Sequence, residues 1–136
     1  MPEDHTAITK LLDGLGYPGT SPFIRDKMAI VFANPLQELI VYEINGEVVA
    51  FIVLEFLTQL GLEGDIVRIG YFAVAEEARS KGVGKEMEAY CEKLAREKKC
   101  DRIEVHCHER RVDAHRFYFR QGYVESPKYL IKTLSR

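Results

Sequence analysis

Two glycines stand among basic residues in the stretch Ala78-Arg-Ser-Lys-Gly-Val-Gly-Lys-Glu-Met87. The apolar run RIGYFAV, Arg68 to Val74, leads into it. Behind it Val83, Met87, Tyr90 and Leu94 recur at helical spacing, so the stretch joins a strand to a helix. The start of a helix exposes main-chain N–H groups with no acceptor inside the helix, and the macrodipole adds about half a positive charge there. Gly82 and Gly84 permit a tight path and close approach of a ligand. Arg79, Lys81 and Lys85 bring positive charge. That chemistry suits a diphosphate. The plainer reading is a corner that glycines merely tighten.

Other phosphate motifs fail on spacing. A P-loop needs four residues between its glycines and then Gly-Lys-Ser/Thr, whereas this chain has Gly82-Val-Gly-Lys-Glu. The dinucleotide fingerprint needs a third glycine where Met87 stands. A kinase loop needs far more chain. His106-Cys107-His108 places two imidazoles on one face of a strand, but no third ligand is evident, and no metal site is expected. Cys91, Cys100 and Cys107 form no paired framework and read as reduced thiols of a cytoplasmic protein.

These residues need elements to position them. Ile8, Leu11, Leu12 and Leu15 share one helical face, closed by Gly14, Gly16 and Pro18. Thr20 or Ser21 is expected to cap a second helix with Pro22 in its first turn and Ile24, Met28, Val31 and Phe32 on its apolar side. Two β-rich runs flank Asn45-Gly46, a hairpin turn that needs positive φ at both positions. The second run, Val48 to Leu57, is apolar on both faces and reads as a central strand. After the loop TQLGLEGD come the strand IVRIGYFAV and a helix from Gly82 to about Lys98. The strand RIEVHCH, a short helix from about Val112 to Arg120 stopped by Gly122, and a last strand KYLIKTL complete the chain. The order α-α-β-β-β-α-β-α-β predicts an α/β (α+β) domain with a mixed sheet.

The 136 residues suit one domain, 1–136, with one core. A net charge of −2 gives no footprint for nucleic acid. No apolar run is long enough to span a bilayer, and the N-terminus MPEDHTAITK lacks the regions of a secretory signal.

Arg79-x-x-Gly82-x-Gly84 directly after YFAV resembles the acetyl-CoA pyrophosphate loop of the GNAT superfamily of N-acetyltransferases. Asp113 to Tyr123, DAHRFYFRQGY, is similar to that family's Asn-x-x-Ala-x-x-Phe-Tyr-x-x-x-Gly-Phe region. The stretch RRVDAHRFYFRQGYVES resembles the bacterial aminoalkylphosphonate acetyltransferases in particular.

The resemblance implies a mixed, mostly antiparallel sheet flanked by helices, with a splayed strand pair holding acetyl-CoA as cosubstrate. Phe72, Ala73 and Val74 would hold the thioester and pantetheine arm through main chain, and an N–H of Phe72 would face the developing oxyanion. Arg79, Ser80, Lys81, Gly82, Val83, Gly84 and Lys85 would wrap the diphosphate. Ser80 stands where many relatives carry glycine. Tyr118 would return a proton to the leaving thiolate; by itself it reads as a core aromatic. Asp113 would contact the coenzyme arm, unless it caps the last helix. His115 and Arg116 would reach coenzyme phosphates or face solvent. Many relatives place a basic glutamate four residues before the Phe72 position, where this chain has Arg68. Glu43, Glu63, Asp65, His106 and His108 remain as candidates for the proton acceptor. Arg68 either faces an acidic group on the acceptor or is an ordinary salt-bridged arginine.

The expected reaction is direct transfer of acetyl to a primary amine of a small molecule in a ternary complex. A protein or peptide acetyltransferase and a non-catalytic acyl-CoA-binding module stay open beside it. The first strand of many relatives is missing before the first helix, so a homodimer that covers the exposed sheet edge is also expected.

Overall fold

The computed structural model describes residues 2–106, 112–125 and 130–134. They fall into two compact units, Met1–Val105 and His106–Arg136.

The first unit opens with α1, His5–Leu15. Its i, i+3, i+4 stripe puts Ile8, Leu11 and Leu12 inside, as the spacing requires. Gly16, at φ +106°, ends the helix, and Tyr17 N–H donates to the Leu12 carbonyl (2.8 Å). Gly14 lies within the helix and does not help close it. The second helix, α2, is Ile24–Ala33. Its start corrects the capping expectation. Phe23 is the cap residue, no side chain bonds the first turn, and the Thr20 carbonyl accepts from Phe23 and Ile24 N–H. The Thr20 hydroxyl is buried and has no partner among the described residues. Ile24 and Met28 are buried, while Phe32 on the same expected face is exposed.

Four strands follow, β1 (Gln37–Ile44), β2 (Glu47–Leu57), β3 (Asp65–Val74) and β4 (Cys100–Val105), in the order β1-β2-β3-β4. The β1–β2 and β2–β3 pairs are antiparallel and β3–β4 is parallel. Asn45 and Gly46 make the hairpin turn with φ of 52° and 80°, as expected of Asn-Gly. β2 lies between two neighbours, which is why its residues are apolar on both faces. The parallel step from β3 to β4 needs a crossover, supplied by α3, Val83–Glu97.

Each face of the sheet has its own core. On one, Phe51 and Ala73 pack with Ile8, Leu11, Leu12, Ile24 and Met28 of α1 and α2. The other carries Ile52, Leu54, Val67 and Ile69, and α3 turns Val83, Met87, Cys91 and Leu94 inward. Full burial of one such aliphatic or aromatic side chain contributes about 1.5–3 kcal/mol.

The ladder is irregular at one point that matters below. Val53 pairs with Tyr71 and Leu54 with Ile69, so Gly70 is the extra residue of a β-bulge. The β3–β4 register ends where Ile69 meets Val105, whereas β3 runs on to Val74 in register with β2.

The second unit contains α4, Val112–Arg120, with the bounds its periodicity implies, and Gly122 at φ +94° just beyond. The expected last strand is not formed in its described part, residues 130–134. Leu130, Ile131 and Leu134 there are exposed, so β-propensity without a paired neighbour has not made a strand. Residues 128 and 129, and residues 107 and 108 of the expected RIEVHCH strand, lie outside the described residues; its described part ends at Val105, with His106 already irregular.

Candidate active site: a glycine corner beside an overrunning strand

Within the first unit, β3 hands over to α3 through a short helical turn, Glu76–Ala78. Arg79 folds back, and its Nε donates to the Val74 carbonyl (3.2 Å). This pins the basic loop to the end of the strand. Gly82 then takes φ +78°, ψ 10°, the left-handed region that glycine enters without strain. No side chain caps α3; its first main-chain bond runs from Glu86 N–H to the Gly82 carbonyl (3.1 Å). The donors of the first turn, at Val83, Gly84 and Lys85, therefore point out of the helix end. A Cβ built on Gly82 would meet nothing within 4 Å, so the corner is open on that side. Arg79, Ser80, Lys81 and Lys85 are exposed around it, and Val83 is buried as the anchor beneath. The donors, the open approach and the positive charge fit a diphosphate.

The strand end has matching geometry. Ala75 N–H donates to the Val49 carbonyl of β2 (2.7 Å). Main-chain groups alternate sides along a strand, so those of Val74 face away from β2, and those of Phe72 do the same. They face the side on which β4 has already ended. Ala73 between them turns its side chain into the α1–α2 core. The main chain of Phe72 and Val74 and the glycine corner thus come from consecutive pieces of one chain segment.

On the α1–α2 face, a row of polar residues crosses the whole sheet. Register pairs Gln37 with Glu55, Glu55 with Arg68, and Arg68 with Glu104. Arg68 is the salt-bridged arginine of the plainer expectation, with Nη2 3.3 Å from Glu104 Oε1, although its buried Nε has no partner among the described residues. The Glu55 carboxylate leans toward the bulge: a Cβ on Gly70 would lie 3.1 Å from its Oε1. Beside it Tyr71 stacks edge-on against Tyr17 from the loop after α1, ring centres 5.2 Å apart. Burial first, then the Tyr17 and Glu55 charges, hold the Tyr71 phenol above its ordinary pKa. Glu55 is hidden in the sequence. It sits in the apolar run VVAFIVLEFL, where its one usable signal is that a charged residue interrupts a central strand.

Of the other acidic candidates, Asp65 is engaged locally, accepting from Gln59 N–H (3.2 Å), and Glu43 and Glu63 are exposed. His106 is exposed in the second unit, and Cys107 and His108 lie outside the described residues. No group of metal-ligating side chains occurs among the described residues. Cys91 and Cys100 are unpaired thiols; burial pushes Cys91 up to about 12.

The second unit holds Tyr118, nearly buried, its ring 5.4 Å from that of Phe117 and 5.3 Å from that of Tyr123. Tyr123 N–H donates to the Tyr118 carbonyl (3.0 Å). Asp113 falls in the first turn of α4 and not at its cap, and pairs with Arg116 (3.7 Å) in solvent.

The third strand of the mixed sheet thus outruns its parallel neighbour and turns through glycines into a helix without a side-chain cap from Gly82. The chain belongs to the acetyltransferase (GNAT) family, whose model matches residues 9–123. It is 34% identical over 90 residues to the aminoalkylphosphonate N-acetyltransferase of Salmonella typhimurium, covering 66% of this chain. It spans 58% of that relative's length. Two crystal structures share the fold. A transcriptional regulator from Bacillus halodurans has a TM-score of 0.89 at 21% identity, covering 98% of this chain and 95% of that one. A GNAT family acetyltransferase from Staphylococcus aureus has a TM-score of 0.83 at 21% identity, covering 98% and 91%. No helix among the described residues is long and apolar enough to cross a membrane.

Proposed function

We propose that the chain acts as one N-acetyltransferase domain, residues 1–136, moving acetyl from acetyl-CoA to a primary amine of a small molecule by direct transfer. The observation that carries this reading is the uncapped start of α3 behind left-handed Gly82, tied by Arg79 to the strand that outruns β4. Main-chain donors from Val83 to Lys85 hold the diphosphate, with Arg79, Ser80, Lys81 and Gly82 shaping the approach. The main chain of Phe72 and Val74 aligns the thioester arm, and the Phe72 N–H stabilises the charge that develops on the carbonyl oxygen. Amine attack forms the C–N bond and the C–S bond breaks. Tyr118 gives the sulfur its proton. Asp113 and Arg116 contribute to holding the coenzyme.

An aminoalkylphosphonate is the first acceptor to try, given the name of the Salmonella relative. A cytoplasmic homodimer is part of the same proposal, with β1 as the strand edge to cover. The test mixes pure protein with acetyl-CoA and plates of aminoalkylphosphonates, polyamines, aminoglycosides, amino acids and peptides, following free thiol. Turnover with a small amine is expected. Coenzyme binding without turnover for any amine would replace the enzyme with a binding module, and absence of binding would remove both.

A further inference from the structure

An amine acceptor carries a proton at neutral pH, and the strand position from which many relatives remove it holds Arg68 here. The structure shows where a carboxylate has gone instead. Glu55 is the cross-strand partner of Arg68, so its side chain leaves the same face of the sheet one strand over. It leans forward along that face, onto the bulge at Gly70, two residues before Phe72. A side chain at 70 would begin 3.1 Å from Glu55 Oε1, so the carboxylate would have to give way by a few tenths of an ångström. Arg68 turns to Glu104, and among the described residues no donor bonds the Glu55 carboxylate. Tyr71, 40% exposed, stands beside it, with the half-exposed ring of Tyr17 packed on Tyr71. A carboxylate with open acceptor sites next to two phenol rings is a setting for a primary ammonium.

We propose that Glu55 holds the acceptor's ammonium group, accepts a proton from it so that the free amine can attack, and passes that proton to water. The inference rests on the acetyl-transfer reading above. Two protons leave the nitrogen in all. One balances the proton given to the thiolate sulfur, and the other passes through Glu55 Oε1 to water, so that ammonium and thioester give amide, thiol and one released proton. A carboxylate is a much weaker base than an alkylamine, so only a small fraction of the bound acceptor is free amine at any moment. That fraction suffices, because Glu55 hands the proton on to water and each amine that attacks draws the equilibrium forward. The charged or polar groups that face Glu55 are Gln37 from β1 and Arg68 and Tyr71 from β3, with Tyr17 behind Tyr71.

The experiment compares wild type and Glu55→Gln as full chains, with the amine that wild type turns over best. Expected is a loss in kcat/KM of about 10²-fold or more at pH 7, with acetyl-CoA affinity unchanged by calorimetry. The loss should shrink as pH rises and with fluorinated alkylamines of lower basicity, which need less help to lose a proton. A Glu55→Gln enzyme within about threefold of wild type on every amine overturns the role of Glu55 and leaves the acetyl-transfer reading intact. A wild type that turns over no amine overturns both. Should Glu55→Gln unfold, Glu55→Asp keeps the charge and withdraws it by one methylene. Its rate loss must likewise vary with amine basicity, and a loss equal for all amines refutes proton transfer.

Discussion

Replacing Gly82 by alanine isolates the backbone term at the glycine corner. Gly82 has φ +78°, and a Cβ there meets nothing within 4 Å, so alanine brings conformational strain without collision. That strain is about 1–2 kcal/mol. For a chain of 136 residues it corresponds to a fall in Tm of roughly 3–7 °C. If the corner relaxes to relieve it, the N–H groups of Val83, Gly84 and Lys85 turn off their target. Loss of one hydrogen bond to a charged group costs about 1.5–3 kcal/mol, or roughly 10–100-fold in affinity. Gly46→Ala supplies the control, because Gly46 has φ +80° and is equally open but lies in the hairpin. Calorimetric scanning should show similar losses of Tm in both variants. Titration with acetyl-CoA should show weaker binding only for Gly82→Ala. Gly82→Asn should recover part of both losses, since asparagine tolerates this region. Equal acetyl-CoA affinity in wild type, Gly46→Ala and Gly82→Ala would refute the assignment of the corner as the diphosphate site.

Tyr118→Phe should lower kcat by about 10²-fold with acetyl-CoA affinity kept, and an unchanged kcat would remove the phenol from the mechanism. The Cys91 thiol, held near 12 by burial, keeps its proton in the folded chain after the unfolded chain has lost its own at about 9. Its contribution to stability is therefore complete below pH 9 and falls by about 1.4 kcal/mol per pH unit above it. Urea melts of wild type and Cys91→Ala at pH 8, 9 and 10 should show the steeper alkaline loss in wild type. Arg68→Met should change stability by about 1 kcal/mol or less, because the Arg68–Glu104 pair is a third exposed and solvent screens it. A loss several times larger in thermal melts would show the polar row to be a structural brace.

Much of the frame follows from local pattern. The Asn45-Gly46 turn, the both-faced apolarity of β2 and the 3.6-residue stripe of α3 each depend on neighbours close in sequence, so they could be read directly. The glycine corner was legible for the same reason: its chemistry belongs to one short segment. The Glu55–Gly70 juxtaposition was not, because it depends on register between two strands and on a bulge that no residue type announces. The second-helix cap was misplaced because Phe23, a poor capping residue by type, is held there as its own N–H and that of Ile24 both donate to the Thr20 carbonyl. Apolar content favoured a last strand, but a strand exists through its partner, which composition does not contain.

Gly70 also sets the phase of everything after it. Arg68 and Tyr71, three apart, share a face only because one residue between them is left over. Were Gly70 instead drawn into the ladder opposite Val53, the last stretch of β3 would slip by one and invert. Tyr71 would swing toward α3, and Ala73 would leave its seat against Phe51. Loss of the bulge with its residue kept in the strand could be tolerated only if positions 71 to 74 were rewritten together, so the kink and the side chains downstream of it can change only as a block.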